Sequence, residues 1–172
     1  MRGTVRTRIL LSLTTKRNDG CCPLQPVVQS CNISTMDSDN LLQWEQLPGK
    51  LEAYSAGDFK AEFGALFSTN KSEIRQVVYA WCTERQIQQV RGQSNIIYIE
   101  QTSQSLYRRH YRFAEKESNG YNWPRYDYMI RTYGPIRIYF IQVDDPKTTE
   151  KELLDRYYKE HLEYPPVNRS AM

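Results

Sequence analysis

The sequence lacks the residues from which most zinc and disulfide sites are built. Only two histidines, His110 and His161, occur in 172 residues, and none of the four cysteines belongs to a CxxC pair. A structural zinc site needs four such ligands at characteristic spacings, so we do not expect one. Two of the cysteines are adjacent, which does not predict a spaced disulfide framework. We therefore expect an intracellular protein, either cytoplasmic or associated with a nucleoid.

Long hydrophobic runs and a strong overall charge are also missing. No apolar run approaches the roughly 18–20 residues that span a bilayer, so we expect no membrane association. The net charge is +3, but residues 1–36 hold five cations and one acid, and the rest of the chain is close to neutral. Any interaction with nucleic acid would therefore depend on a local basic patch rather than on the charge of the whole protein.

Composition divides the chain into three segments. Residues 1–40 are rich in Ser, Thr, Asn and Pro and predict a disordered or leader segment. The basic, acid-poor residues 1–36 also resemble an organelle transit peptide, an alternative that we do not favour. Residues 41–70 predict a helical lead-in that packs on the domain, because phenylalanines recur there at helical spacing. Residues 71–172 predict the folded domain.

The folded domain combines short strands with helices. Three runs rich in β-branched and aromatic residues predict strands, at residues 77–81, 96–99 and 136–143. Three further segments predict helices, at residues 103–117, 122–134 and 147–162. The polar residues 83–95 predict a long loop. This order predicts an α+β fold with a small, three-stranded, mostly antiparallel sheet flanked by helices.

A basic and aromatic patch occurs between residues 105 and 139, where seven cations stand against three acids and several tyrosines are interleaved. Arginine makes bidentate contacts with phosphate and aromatic rings stack on bases, so the patch predicts a nucleic-acid surface. The alternative is a tyrosine-rich margin of the core with solvated arginines. The arginines expected to contact nucleic acid are Arg108, Arg112, Arg125 and Arg131.

Helical projection selects two charged residues near the core. In the segment 103–117, Arg109 lies close to the inward stripe, whereas Arg108 and Arg112 point away from it. In the last helix, Glu150 shares the apolar stripe, where a carboxylate is costly unless it meets a cation or a metal. The alternative for Glu150 is an acid in the first turn, stabilised by the helix dipole.

In order and spacing, several of these segments together resemble the GIY-YIG nuclease superfamily over roughly residues 75–169. The matching segments are Val77-Val78-Tyr79, Tyr98-Ile99-Glu100, the stretch 101–109 that ends in Arg109, the helix residues 150–154 that begin with Glu150, and Pro165-Pro166-Val167-Asn168. Both motif glycines are replaced, by Val77 and Glu100. Glycine permits close approach of the backbone, so these replacements could reshape the floor of the site. Glu100 would either add a second carboxylate near the metal or repel the phosphate.

The resemblance implies a divalent-metal-dependent endonuclease, of restriction, homing or repair type, that hydrolyses phosphodiester bonds of double-stranded DNA with one Mg²⁺ or Mn²⁺ ion. The implied roles are Tyr79 as general base or water-positioning group, Tyr98 as the group that orients the water or the phosphate, Arg109 as the phosphate ligand, Glu150 as the metal ligand and Asn168 as support. His110 is an alternative proton carrier, although its place on the inward stripe favours a core histidine. Two other functions stay open, namely a catalytically inactive nucleic-acid-binding module of the same fold and a protein-interaction domain.

Overall fold

A computed structural model describes residues 44–168, which form an α+β fold around one sheet. Its strands are β1 (Glu45–Gln46), β2 (Val77–Gln88), β3 (Gln93–Thr102) and β4 (Arg137–Gln142). The order across the sheet is β1-β4-β2-β3, and all neighbouring strands are antiparallel. The α+β class is confirmed, but the prediction of three strands is wrong. Strand β1 is only two residues long, which is too short to leave an alternating pattern. The predicted leader, residues 1–40, lies outside the described residues.

Helices cover both faces of this sheet. In the described part of the chain the α-helices are α1 (Ala56–Phe67), α2 (Leu106–His110), α3 (Phe113–Glu117), α4 (Trp123–Tyr133) and α5 (Pro146–His161), and a short 3-10 helix spans Asn70–Glu73. Asp145 is the N-cap of helix α5, and its carboxylate accepts a hydrogen bond of 3.2 Å from the Thr148 N–H. Helix α4 ends at Gly134, whose φ of +85° suits glycine. None of the helices in residues 44–168 has the length and apolar character needed to cross a bilayer.

Three predicted elements differ from the structure. The predicted loop 83–95 is largely strand, because β2 continues to Gln88 and β3 begins at Gln93; Gly92, with φ +72°, lies in the intervening turn. The outer parts of β2 and β3 form a two-stranded ribbon whose outward-facing residues are polar and exposed, so its sequence resembles that of a loop. The predicted helix 103–117 is divided between α2 and α3. The lead-in 41–70 is only partly helical, since it contains β1 as well as α1.

The alternating side chains of β2 build two hydrophobic clusters, one on each face of the sheet. Tyr79 and Trp81 point to the face covered by α1 and α4, where Phe63 lies 5.7 Å from Trp81 between ring centroids. Ala80 points to the opposite face, which α5 covers. Cys82 also lies on that face. Burial on both faces explains why β2 is apolar at consecutive positions.

The C-terminal segment covers the outer edge of β3. The Val167 N–H donates to the Ile97 carbonyl at 2.8 Å. The Asn168 side chain then pairs with both backbone groups of Ile99: its Oδ1 accepts from the N–H at 2.9 Å and its Nδ2 donates to the carbonyl at 2.7 Å. An exposed strand edge otherwise offers unpaired backbone groups to other chains, so this segment protects the edge.

Replacing Asn168 with aspartate should lower the free energy of unfolding by about 1–3 kcal/mol, because an oxygen would then face the Ile99 carbonyl in place of a donor. Urea denaturation measures this loss, and hydrogen exchange at the Ile99 amide should accelerate. Asn119→Asp is the matched control, since the Asn119 oxygen accepts from the amides of Tyr121 and Asn122 and aspartate keeps that acceptor. Equal losses in the two variants would contradict the pairing role of Asn168.

Candidate active site

The register between β2 and β3 places three polar side chains together. Tyr79 lies opposite Glu100, and Trp81 lies opposite Tyr98. Residues two apart on a strand share a face, so Tyr98 and Glu100 point to the same side of the sheet as Tyr79. A register shift follows between Trp81 and Cys82, immediately beyond this group. The pairing of two strands therefore creates the cluster, and no single segment contains it.

Glu100 is the centre of this cluster. Its Oε2 accepts hydrogen bonds from the Tyr79 hydroxyl at 2.6 Å and from the Tyr98 hydroxyl at 2.5 Å. Burial raises the pKa of the Tyr79 hydroxyl well above its ordinary value, and the Glu100 carboxylate raises it further. The same two causes raise the pKa of Tyr98. Both phenols are therefore protonated hydrogen-bond donors at neutral pH.

Arg109 supplies the third donor to Glu100. Its guanidinium forms an ion pair with Oε1, the oxygen that the two phenols leave open. The position of Arg109 depends on α2, whose N-cap is Ser105. The Ser105 hydroxyl accepts a hydrogen bond from the Arg108 N–H at 3.2 Å. The Arg109 side chain keeps 41% of its surface exposed, whereas that of Glu100 keeps 22%. The ion pair thus lies at the border between the core and solvent.

A cavity of about 340 Å³ opens beside this group. Tyr98, Glu100 and Arg109 line one part of it, and Glu150 reaches it from the second turn of α5. Glu150 is half-buried. Burial raises the pKa of its carboxyl, and the negative charge of Glu100 raises it further, while Arg109 acts in the opposite direction. Glu150 and Glu100 are therefore two carboxylates that repel each other across one cavity.

A second polar group lies on the same cavity and was not anticipated from the sequence. The buried Glu117 accepts from the Tyr126 hydroxyl at 2.9 Å and pairs with the Arg125 guanidinium at 3.6 Å. Lys116 also lines the cavity. Charges on the wall are balanced: the cations are Arg109, Lys116 and Arg125, and the carboxylates are Glu100, Glu117 and Glu150. Phe113, Val167 and other apolar groups complete the wall.

His110 lies in the aromatic core and does not line this cavity. Its ring stacks on Phe67 at 4.0 Å between centroids, and Nδ1 lies 2.9 Å from the Leu106 carbonyl oxygen. Burial lowers the pKa of His110 to about 4. A ring that is neutral and sequestered in this way has no path to a substrate in the cavity, so the structure places His110 as a core residue.

Folding stability should depend on pH through His110. The ordinary pKa near 6.5 applies in the unfolded chain, which therefore binds the proton first as the pH falls. The free energy of unfolding should consequently decrease by about 2 kcal/mol between pH 7 and pH 5 from this residue alone. Comparison of urea denaturation curves for the wild type and His110→Phe isolates the effect, because the other titrating groups are common to both. Parallel pH profiles for the two proteins would show that His110 is not a buried neutral group.

The arginines expected to contact nucleic acid have different surroundings. Arg108 and Arg112 are exposed, one on α2 and the other immediately before α3. Arg131 is exposed on α4 and pairs with Asp127, Nε to Oδ1, at 2.7 Å. Arg125 faces the cavity, where its guanidinium carbon lies 5.1 Å from the centroid of the Tyr126 ring. Three of the four therefore lie on solvated surface and one belongs to the cavity wall.

The structure thus brings together Tyr79, Tyr98 and Arg109 around Glu100, with Glu150 across the cavity. Asn168 supports the group by fixing the backbone of β3 next to Glu100. Strand alternation predicts that Glu100 shares a face with Tyr98, but its contacts with Tyr79 and Arg109 depend on the pairing of β2 with β3 and on the position of α2. No sequence pattern predicted that Glu117 lines the cavity, because its position depends on the division of the predicted helix 103–117 into α2 and α3.

Within residues 44–168, no three His, Cys, Asp or Glu side chains are grouped so that they could hold a metal ion between them. Comparisons of the chain with protein-family models, curated protein sequences and solved structures find no match.

Proposed function

We propose that this protein is a divalent-metal-dependent endonuclease of the GIY-YIG type that hydrolyses phosphodiester bonds of DNA. The observation that supports the proposal is the convergence of the Tyr98 phenol, the Arg109 guanidinium and the half-buried Glu150 carboxylate on a single cavity. The hydroxyl of the fully buried Tyr79 lies behind this group, bonded to Glu100. These residues are distant in sequence, and a phosphate ester needs this combination of hydrogen-bond donors, positive charge and a metal ligand.

Glu150 is the residue that would hold the metal. Glu150 fits a hard cation because its carboxylate offers oxygen ligands. Burial and the negative charge of Glu100 both disfavour the charged form of this carboxylate, and a bound cation would offset that cost. One carboxylate together with water and phosphate oxygens is a common environment for Mg²⁺ in proteins. When bound, Mg²⁺ or Mn²⁺ supplies Lewis-acid polarisation of the phosphoryl oxygens.

The other residues bind and position the phosphate. Arg109 is charged at neutral pH and half-exposed at the cavity, so it can pair with a phosphate oxygen. The raised pKa values of Tyr79 and Tyr98 favour hydrogen-bond donation over proton abstraction. Tyr79 is fully buried, so it acts on the substrate only after Glu100 has moved. Of the two roles implied for Tyr79, orientation is therefore better supported than general-base catalysis.

DNA is the substrate class that best fits the surroundings of the cavity. Arg108 and Arg112 are exposed close to Arg109 in sequence, and the exposed Tyr107 and Tyr111 rings lie 5.7 Å apart between centroids. Cations of this kind contact the DNA backbone, and exposed rings offer stacking surfaces. Binding of DNA should weaken steeply with salt as counterions are released.

A second candidate function is a nucleic-acid-binding module that does not cleave. The specific observation in its favour is Glu100, which occupies the three donors that the phosphate would need. In such a module, the charge of Arg109 serves the fold and DNA is bound by the exposed arginines alone.

Incubation of the full chain with supercoiled plasmid and Mg²⁺ tests the two candidates. An endonuclease yields nicked or linear plasmid, and EDTA abolishes the product. A binding module leaves the plasmid intact under Mg²⁺ and Mn²⁺ at every salt concentration. It still slows the migration of the plasmid in a gel-shift assay, and this shift weakens as the salt concentration rises. Plasmid that stays intact and shows no gel shift would reject both functions.

A further inference from the structure

The arrangement around Glu100 is that of an anion-binding site filled by a residue of the chain itself. Two hydroxyls donate to one oxygen of the carboxylate and a guanidinium pairs with the other. Tyr79 and Tyr98 belong to strands and Arg109 belongs to a helix, so donors from three elements meet on one anion. Nothing in this geometry requires that the anion be a side chain.

A phosphate uses the same donors in the same way. Arginine forms bidentate pairs with phosphate as readily as with carboxylate, and hydroxyls donate to either. The cavity beside Glu100, at about 340 Å³, has room for such a group, and Arg109 already lines it. An entering phosphate would meet the negative charge of Glu100 first. It would also compete with a carboxylate that is tethered to β3 and therefore permanently present at high effective concentration.

We propose that Glu100 is the residue that decides whether this site admits a phosphate, because it competes as an internal anion for Tyr79, Tyr98 and Arg109. The inference rests on the proposed phosphate chemistry of the site and adds a determinant to it. Loss of the charge at position 100 should open a phosphate site, since the three donors are then left without their anion.

Glu100→Gln is the variant of choice, because it keeps the volume and an acceptor for the phenols while it removes the charge that Arg109 neutralises. Phosphate affinity is measured by isothermal titration calorimetry of the full chain with inorganic phosphate. We expect Glu100→Gln to bind phosphate about tenfold or more tightly than the wild type. The double variant Glu100→Gln, Arg109→Gln should lose that gain.

Glu117→Gln is the matched control. It removes one carboxylate charge from the same cavity, and Glu117 likewise accepts from a tyrosine and pairs with an arginine. An equal gain in phosphate affinity in Glu117→Gln would mean that only the total charge of the cavity matters, and would overturn the proposal. No gain in a folded Glu100→Gln, judged by circular dichroism, would overturn it as well.

Glu100→Ala tests the same proposal if Glu100→Gln does not fold. This change also removes the internal anion, so it should raise the affinity for inorganic phosphate about tenfold or more. An unchanged affinity in folded Glu100→Ala would overturn the proposal. If the wild type nicks plasmid but Glu100→Gln binds phosphate no more tightly than the wild type, this inference alone is rejected. If Glu100→Gln gains phosphate affinity but the wild type does not nick plasmid with any metal, the endonuclease proposal alone is rejected.

Discussion

Replacing Glu150 with alanine is expected to lower the rate of Mg²⁺-dependent plasmid nicking by about 10³-fold. Glu150 is the carboxylate that projects from α5 into the cavity, and it lies within the electrostatic reach of Glu100 and Arg109. Removing it takes away the proposed protein ligand of the metal, and with it the stabilisation of charge on the phosphoryl oxygens. The fold should persist, because the Glu150 side chain is only half-buried.

Glu152→Ala provides the control for this experiment, since Glu152 lies on the exposed face of the same helix and the change in charge is identical. The control should nick plasmid at the wild-type rate. A second measurement is independent of activity: titration with Mn²⁺, followed by electron paramagnetic resonance, should show weaker metal binding in Glu150→Ala and unchanged binding in Glu152→Ala. Wild-type nicking by Glu150→Ala would exclude Glu150 as the metal ligand.

Replacing Trp81 with alanine is expected to lower the free energy of unfolding by about 3–5 kcal/mol. Trp81 is fully buried on β2, and its ring contacts those of Phe63, Tyr98 and Tyr126. The substitution would leave a cavity at the centre of this aromatic group, which relaxes only in part. Tyr98 would also lose the neighbour against which its ring is held, so the site should be disturbed together with the fold.

Trp81→Phe should cost much less, about 1–2 kcal/mol. The buried indole Nε1 has no hydrogen-bond partner among residues 44–168, so its removal breaks no hydrogen bond there and relieves an unsatisfied donor. Tyr121→Ala is the surface control, because Tyr121 is 82% exposed, and it should change stability by less than about 0.5 kcal/mol. Urea denaturation followed by circular dichroism ranks the three variants. A loss in Trp81→Phe as large as that in Trp81→Ala would contradict this account of the core.

Local sequence patterns predicted the strands and helices that bury apolar side chains at regular spacing, or whose ends are marked by residues such as glycine. The strands around Tyr79, Tyr98 and Phe140 are apolar and β-branched, and each is present close to its predicted position. Helix α4 ends at Gly134 because glycine accepts the positive φ. The same patterns predicted that Arg109 and Glu150 lie near the core margin, and both line the cavity.

Other features depend on contacts between segments and have no local signature. Strand β1 exists because Glu45 and Gln46 pair with β4, and two residues cannot show an alternation. The outer part of the β2–β3 ribbon is polar on its exposed side, so only its pairing distinguishes it from a loop. The helix predicted over 103–117 is interrupted between His110 and Phe113, and both rings pack in the same aromatic core, 5.3 Å apart between centroids.

The sequence by itself determined the apolar parts of β2, β3 and β4 and the helices α4 and α5, and it supplied two phenols, a guanidinium and a carboxylate in the segments around them. Only the tertiary structure decided that Glu100 lies between them. Strand register is a joint property of two segments and of the helices that cover them, and a shift of one residue would turn Glu100 to the opposite face. For that reason the same side chains that resemble a phosphate site in sequence are, in the folded protein, bound to an anion of the chain itself.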